Sequence, residues 1–517
     1  MGSRLSPRVF LFLAVALLLV PGLLCAAEED FLVKQITVTG NQAVKTEDLA
    51  RIVQAYEGKR LTLTDLQKVA GLITEEYQKR GYVIAKAYVP EQEITDGIVR
   101  IGVLEGTIGE VRVEGSHKYY STQFIKKHFD PIMKEKALNQ STLERALLVL
   151  NEYPRLNVQA TLQAGKDPGT TDIVVKAENT IPIHLTVDYN NFGSKYTSRD
   201  RFGAQVDIGN VIKEGAVLSA RGITGDTPSD MLLWRASYSI PLNTLGTRLA
   251  AYYAKGDYDV GEDLALLGMK GKSESFGISL SHPFIKKRLM SLTAEAGFDW
   301  KDTKQYLLHE TTSHDKIRSL RGGATFEQTG VDGRTYASAF FTAGLGHTLG
   351  GMENNDPYAS RQGADNNFAR FNFDVIRLQK FTPSLFLIVK GSAQLSLNKL
   401  VSSEQFYIGG ADSVRGYGPG EFYGDDGYTA TAELRVAPLA NKEKFQLAFF
   451  VDNGFVSLQS PPAGVRKTQS LTGGGGGIRL VLPYEINIRA DLGIPLDPNK
   501  SADGKTSMVY LQALKRF

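Results

Sequence analysis

From residue 179 to residue 517, apolar and polar residues alternate one by one in many short segments. Leu292, Ala294, Ala296, Phe298 and Trp300 share one face, while Thr293, Glu295, Gly297 and Asp299 share the other. Leu185, Val187 and Tyr189 alternate in the same way with Thr186, Asp188 and Asn190, and Ile486, Ile488, Ala490 and Leu492 with Asn487, Arg489 and Asp491. A period of two is that of a β-strand. Charges on the second face exclude a dry core there. A soluble β-sandwich has the same period with its faces reversed, and it has no need of so many inward charges. The pattern predicts strands that are apolar outside and polar inside, closed into a transmembrane barrel with a wet lumen. Such segments number about sixteen, an even count as bacterial barrels require. The available length gives about 21 residues per strand with its turn, against roughly 9–11 needed to cross a bilayer.

Residues 31–178 carry a different rhythm. Phe31–Thr39 alternates as a strand, and Thr46–Tyr56 reads as a short helix with Thr46 as its N-cap. Thr62-x-x-Asp65 is a capping-box pattern ahead of Leu66, Val69, Ile73 and Tyr77, which are spaced for one helical face. Strands at Val83–Val89 and Gly97–Leu104 complete a β-α-α-β-β order. The plan then repeats. Ile108–Val113 is a strand, and Ser121–Phe129 and Ser141–Tyr153 are helices, the second with Leu143, Ala146, Leu147 and Leu150 inward. Val158–Leu162 and Asp172–Lys176 are strands. A repeat of about 75 residues is too long for a solenoid unit, so the region reads as two tandem domains. Each offers a free strand edge or a helix–strand groove, which either accepts an extended peptide or is merely solvent-facing.

Residues 1–27 read as a secretory signal. Arg4 and Arg8 precede the apolar run Val9–Val20, and Cys25-Ala26-Ala27 supplies small residues for cleavage. Acylation at Cys25 is the alternative, set back by the bulky Leu24 before it. Cleavage after Ala27 leaves no cysteine, and so neither a disulfide nor thiol chemistry. Hydrophobic residues make up 42% of the chain and mean hydropathy is −0.18, which excludes a helical membrane protein. A net charge of +3 argues against a nucleic-acid-binding face. The 52 glycines, 25 phenylalanines and 22 tyrosines suit strands, tight turns and aromatic girdles.

One stretch organises the rest. Val414-Arg415-Gly416-Tyr417 lies in a long loop, with Gly409-Gly410 before it and Gly424-Asp425-Asp426-Gly427 after it, between strands at Leu385–Asn398 and Tyr428–Pro438. The next strand carries Phe450-Val451-Asp452-Asn453-Gly454, and alternation puts Phe450 and Asp452 on the inward face. Alone, an arginine in a Gly-rich loop is an ordinary solvated turn residue. Together, Arg-Gly-Tyr in the loop and Phe-x-Asp-x-Gly on the strand resemble the paired motifs of two-partner secretion transporters of the outer membrane. These are the TpsB family, of ShlB/FhaC/HecB type, in the superfamily of the BamA assembly barrel. Arg80-Gly81-Tyr82, Pro90-x-Gln92, Asp96-Gly97 and Glu105-Gly106 likewise resemble the POTRA domain of such transporters.

The resemblance implies α+β POTRA domains at 28–105 and 106–178, then an all-β transmembrane barrel of about sixteen antiparallel strands at 179–517. It implies a loop around 409–427 folded into the barrel, with Arg415 pairing with Asp452. Val414, Gly416 and Tyr417 complete the loop motif, and Phe450 and Gly454 the wall motif. Asp188-x-Asn190, Gln379 and Gly424-Asp425-x-Gly427 are weaker matches. Only Glu28, Glu29 and Asp30 stand between the cleavage point and Phe31, so the plug helix that some members carry does not fit there. The lumen is then expected to hold mainly the Arg415 loop, with the ion pair in water and worth about 0–1 kcal/mol. The final strand Met508–Phe517 ends on an aromatic residue, which resembles the signal read by the barrel assembly machinery, although Lys515 interrupts its apolar face.

The implied function is secretion. An unfolded TpsA-like exoprotein of the haemolysin or haemagglutinin kind would be taken up by the POTRA edges in the periplasm and passed through a barrel embedded in outer-membrane lipid. The alternatives are an assembly or insertion factor of the same superfamily and, from another class, an outer-membrane barrel enzyme. No catalytic residue, metal site, cofactor or nucleic-acid partner is expected. The seven histidines form no H-E-x-x-H or H-x-x-E-H pattern, and there is no G-x-S-x-G. Gly473–Gly477 is followed by no Lys-Ser/Thr and is not a phosphate loop; in a strand it gives room for a neighbouring chain or a kink.

Overall fold

The computed structural model describes residues 29–167, 169–228, 230–261, 266–497, 501 and 504–517, so the signal reading at 1–27 lies outside the described residues. The chain divides into two compact units. The first comprises residues up to Ile108 with Glu135–Gln140 and Lys166–Thr170, and the second comprises the remainder.

In the first unit, the helix Leu63–Lys79 starts at the box read from sequence. The Thr62 hydroxyl accepts from the Asp65 N–H at 3.2 Å, and the Asp65 carboxylate accepts from the Thr62 N–H at 3.2 Å. Leu66, Val69, Ile73 and Tyr77 are buried in the unit's core. Three details differ from the sequence reading. Phe31–Thr39 is two strands, because Phe31–Val33 pairs with Lys59–Leu61 while Gln35–Thr39 runs parallel to Ile98–Gly102 in another sheet. Thr46 is the first helical residue rather than the cap; the cap is Lys45, and the Thr46 hydroxyl accepts from Asn41 instead. The strand expected at Val83–Val89 is only Lys86–Tyr88, since the chain leaving the helix is still turning at Ala85, whose N–H donates to the Tyr82 carbonyl. The three-stranded sheet runs Gln35–Thr39, Ile98–Leu104, Lys86–Tyr88, so the first and last are edges.

The second unit begins with another α+β fold. Its sheet is ordered Thr107–Glu114, Thr170–Asn179, Leu156–Ala164. The helix expected over Ser121–Phe129 is Thr122–Lys127, capped by Ser121, and a separate short helix Asp130–Met133 begins beside Pro131. The next helix, Gln140–Leu150, buries Ala146, Val149 and Leu150; Val149 takes the inward place expected of Leu147.

Among the described residues, sixteen strands from Ile183–Asn190 to Met508–Arg516 close into an antiparallel barrel, the last pairing with the first through Asn190 and Gln512. Period-two alternation holds. On the sixth strand, Lys270–Lys287, the residues Phe276, Ile278 and Leu280 are exposed to lipid while Gly277, Ser279 and Ser281 face inward. The seventh and eighth strands, Met290–Leu307 and Glu310–Gly330, have 18 and 21 residues. They therefore rise well beyond the span a bilayer needs. Lys515 does not break the outer belt, because its ammonium lies 4.1 Å over the Phe517 ring at the strand end.

The capping box yields a test. Thr62→Ala should weaken the helix Leu63–Lys79 by about 1 kcal/mol. Amide hydrogen exchange in that helix should quicken while the barrel strands stay protected; unchanged exchange would show that the cap is dispensable.

Candidate functional site: an arginine buried inside the barrel

The eleventh and twelfth strands, Leu385–Ser396 and Asp426–Val436, are joined by a long loop that turns back into the barrel. A small hairpin, Phe406–Ile408 with Phe422–Gly424, stiffens it. Ile408, Val414 and Tyr417 pack with Val456 and Leu471 of the wall in an apolar cluster. Burial of these side chains holds the loop on the inner surface before any charge is considered.

At the tip, the Arg415 guanidinium meets Asp452 side-on. Nε donates to Oδ2 at 2.7 Å and Nη2 to Oδ1 at 3.0 Å, and the Arg415 backbone N–H adds a bond to Oδ2 at 3.1 Å. Nη1 reaches Glu433 at 2.8 Å and Asp491 at 3.4 Å. The guanidinium carbon lies 3.2 Å over the centroid of Phe450, the residue two before Asp452 on the same face. Three more arginines complete the network. Arg479 bonds Asp491 at 2.6 Å, Arg435 bonds Glu433 at 2.7 Å, and Arg489 bonds both Asp491 at 2.7 Å and the Ala411 carbonyl at 2.8 Å.

The expectation of a solvated pair in a wet lumen is corrected. Arg415 is 3% exposed, Asp452 0%, Glu433 5% and Asp491 1%. The loop itself excludes water from the wall it covers, so losing one partner strands buried charge, a penalty of roughly 3–5 kcal/mol rather than about 0–1.

Glycines make the close approach possible. Gly416 has φ +104° and its N–H donates to the Tyr510 hydroxyl at 2.9 Å; a Cβ there would lie 2.7 Å from the Ile494 carbonyl carbon. The Tyr510 hydroxyl donates in turn to the Tyr417 carbonyl at 2.7 Å, and the Tyr417 hydroxyl to the Thr472 carbonyl at 3.0 Å. The five-glycine run is the seat of the tip. A Cβ on Gly473 would lie 1.9 Å from the Arg415 carbonyl oxygen, and one on Gly475 would lie 2.8 Å from the Phe450 ring. Gly454 leaves space for Val414, 2.8 Å from where its Cβ would be.

The structure thus brings together Val414, Arg415, Gly416, Tyr417, Phe450, Asp452 and Gly454. It adds Glu433, Asp491, Arg435, Arg479 and Arg489, which the sequence reading did not single out as a site. Alternation had put Arg489 and Asp491 on a polar face, but nothing in it brings three separate strands to one arginine. The weaker matches lie elsewhere. Asp188 bonds Arg221 at 3.0 Å, and Gln379 bonds Asp332 at 3.2 Å. Asp425 is fully buried at the loop's root, where it accepts from Arg361 Nη2 at 3.1 Å and from the Leu400 and Gln459 N–H groups. Among the described residues, no group of His, Cys, Asp and Glu side chains could hold a metal ion.

A POTRA region together with a closed barrel whose lumen holds its own arginine-tipped loop defines an outer-membrane transporter. The family model of the haemolysin secretion/activation protein ShlB/FhaC/HecB matches residues 169–480, and that of the ShlB-type POTRA domain matches residues 31–106. The chain belongs to this family, with its barrel in the outer membrane and its POTRA region in the periplasm. The heme/hemopexin transporter protein HuxB of Haemophilus influenzae is 27% identical over 497 residues, spanning 93% of this chain and 86% of its own length. The outer membrane transporter CdiB of Escherichia coli O6:K15:H31 is 24% identical over 428 residues, 78% of this chain and 68% of its own. The solved structure of CdiB from Escherichia coli shares the fold, with a TM-score of 0.79 at 22% identity over 95% of this chain and 91% of that one.

Removing one partner should release the loop and leave the barrel. Arg415→Ala and Asp452→Ala should each migrate as folded, heat-modifiable barrels while residues 409–421 become open to protease. The double variant should be no worse than Arg415→Ala alone, since the Asp452 interaction is already lost there. Arg415→Lys should also fail to seat the tip, for lack of the planar fork. A loop that stays protected in Arg415→Ala would refute the lock.

Proposed function

We propose that this protein secretes an unfolded exoprotein of the haemolysin or haemagglutinin kind. POTRA domains at 28–105 and 106–178 recognise the client in the periplasm, and the barrel at 179–517 conducts it to the surface. The observation that carries this reading is the tip of the Arg415 loop, which occupies the lumen through hydrogen bonds, ion pairs and apolar contacts alone. A loop held this way can leave and return without breaking a barrel strand pairing, as a conduit that opens for a passing chain requires. Loss of Arg415 or Asp452 then abolishes secretion by misplacing the loop, with the barrel still inserted.

The first unit supports the uptake step. The edge strand Lys86–Tyr88 and the helix Leu63–Lys79 flank a groove lined by Gln67, Ala70, Gly71, Thr74, Val83 and Tyr88. An extended client segment can add to the edge and lay alternate side chains in the groove. Folding of the client outside the cell would supply direction. Contact with the barrel assembly machinery during biogenesis belongs to the same reading.

Two measurements test this reading. Deleting the gene should remove a large exoprotein from the culture medium; an unchanged set of secreted proteins would overturn the assignment. Gly71 has helical geometry and open space at its Cβ, so Gly71→Trp fills the groove without straining the helix. Calorimetry should then show binding of the unfolded client's amino-terminal region lost while the helix stays folded. Undiminished binding would exclude this groove.

A further inference from the structure

The inward loop covers one side of the lumen with its tip, and nearer its root it reaches the seventh strand, where Glu404 pairs with Lys301. Its tip seats on the thirteenth and fourteenth strands, Phe445–Ser457 and Thr468–Leu482. In a closed ring of sixteen, the strands facing these are the fifth and sixth, Arg248–Asp259 and Lys270–Lys287. From Gly271 to Ser281 the inward positions of the sixth strand are Gly271, Ser273, Ser275, Gly277, Ser279 and Ser281, none larger than serine, before Pro283 ends the strip.

Two tyrosines of the fifth strand face this strip in register: Tyr252 stands opposite Gly277, and Tyr258 opposite Gly271. The Tyr252 ring crosses the glycine, because its hydroxyl donates at 2.7 Å to Asp299, the partner of Gly277 on the far side. The Arg235 guanidinium lies 3.9 Å over the same ring, which is thereby held between glycine backbone and arginine. A Cβ on Gly277 would stand 2.3 Å from Tyr252 Cε1 and 2.6 Å from Asp299 Oδ1; one on Gly271 would stand 2.1 Å from Tyr258 Cζ. All the nearest atoms are side-chain atoms, and neither glycine has φ in the left-handed region. The backbone does not ask for glycine at these positions; the flat rings do. The same stacking recurs under the loop tip, where Phe450 lies between Gly475 and Arg415.

We propose that Gly271 and Gly277 are positioning residues that keep Tyr258 and Tyr252 flat against the wall and so set the free bore of the lumen along the fifth and sixth strands. A methyl group at either site leaves the ring one direction to move, inward, where an extended chain would have to pass. The geometry stands by itself, and its consequence for a client rests on the transport reading above.

The test uses ions as the probe. The full chain and its Gly277→Ala and Gly271→Ala variants are measured in planar bilayers in potassium chloride, each also with Arg415→Ala so that the loop does not limit the current. Each glycine variant is paired with Tyr252→Ala or Tyr258→Ala respectively. The expected result is a folded, heat-modifiable barrel with a loss of conductance that removing the matching tyrosine restores. Wild-type conductance in both glycine variants overturns the proposal. So does a loss of fold or of conductance that tyrosine removal leaves in place, or a variant that folds only once the tyrosine is gone. Because no client takes part, failure of the secretion reading would leave a positive result standing.

Discussion

The structure depends on one buried guanidinium. Arg415 sits among Asp452, Glu433 and Asp491 on three different strands, with Phe450 beneath it, and all four charged residues are nearly or fully excluded from solvent. A charge so placed is tolerable only with its partners in position, because each ion removed from water costs several kcal/mol unless its hydrogen bonds are met. The same condition makes the docked loop sharply defined, since no slightly shifted tip satisfies all of these partners. Arg435, Arg479 and Arg489 balance the remaining carboxylate oxygens and tie the network to the wall.

The barrel is the frame that makes this possible. Closure removes the exposed sheet edges that cannot exist in lipid. It also fixes the register that brings Glu433, Asp452 and Asp491, from three strands, within reach of one guanidinium. Glycines then decide where the frame is thin. Under the loop tip they admit a backbone; on the opposite wall they admit two tyrosine rings. Where the loop tip seats and where the wall is smooth follow from where Cβ atoms are missing.

Much of this was legible in the chain. The period of two, with charges on one face, required a wet-lumen barrel, and strand counting reached sixteen because each lipid-facing segment must be long enough to cross. The Thr62–Asp65 box and the Leu66, Val69, Ile73, Tyr77 stripe defined their helix because capping and helical periodicity are local. Where pairing is non-local, reading by period failed in detail: Phe31–Thr39 was split between two sheets by partners about thirty and sixty-five residues away.

Sequence by itself determined the class of fold, the family motifs and the inward face of Phe450 and Asp452, since alternation along one strand is enough to assign a face. Only the tertiary structure decided that Arg415 is dry, that Glu433 and Asp491 share it, and that the five-glycine run is its seat. Burial and charge pairing arise where segments distant in sequence share one space, and no local pattern records which segments those are.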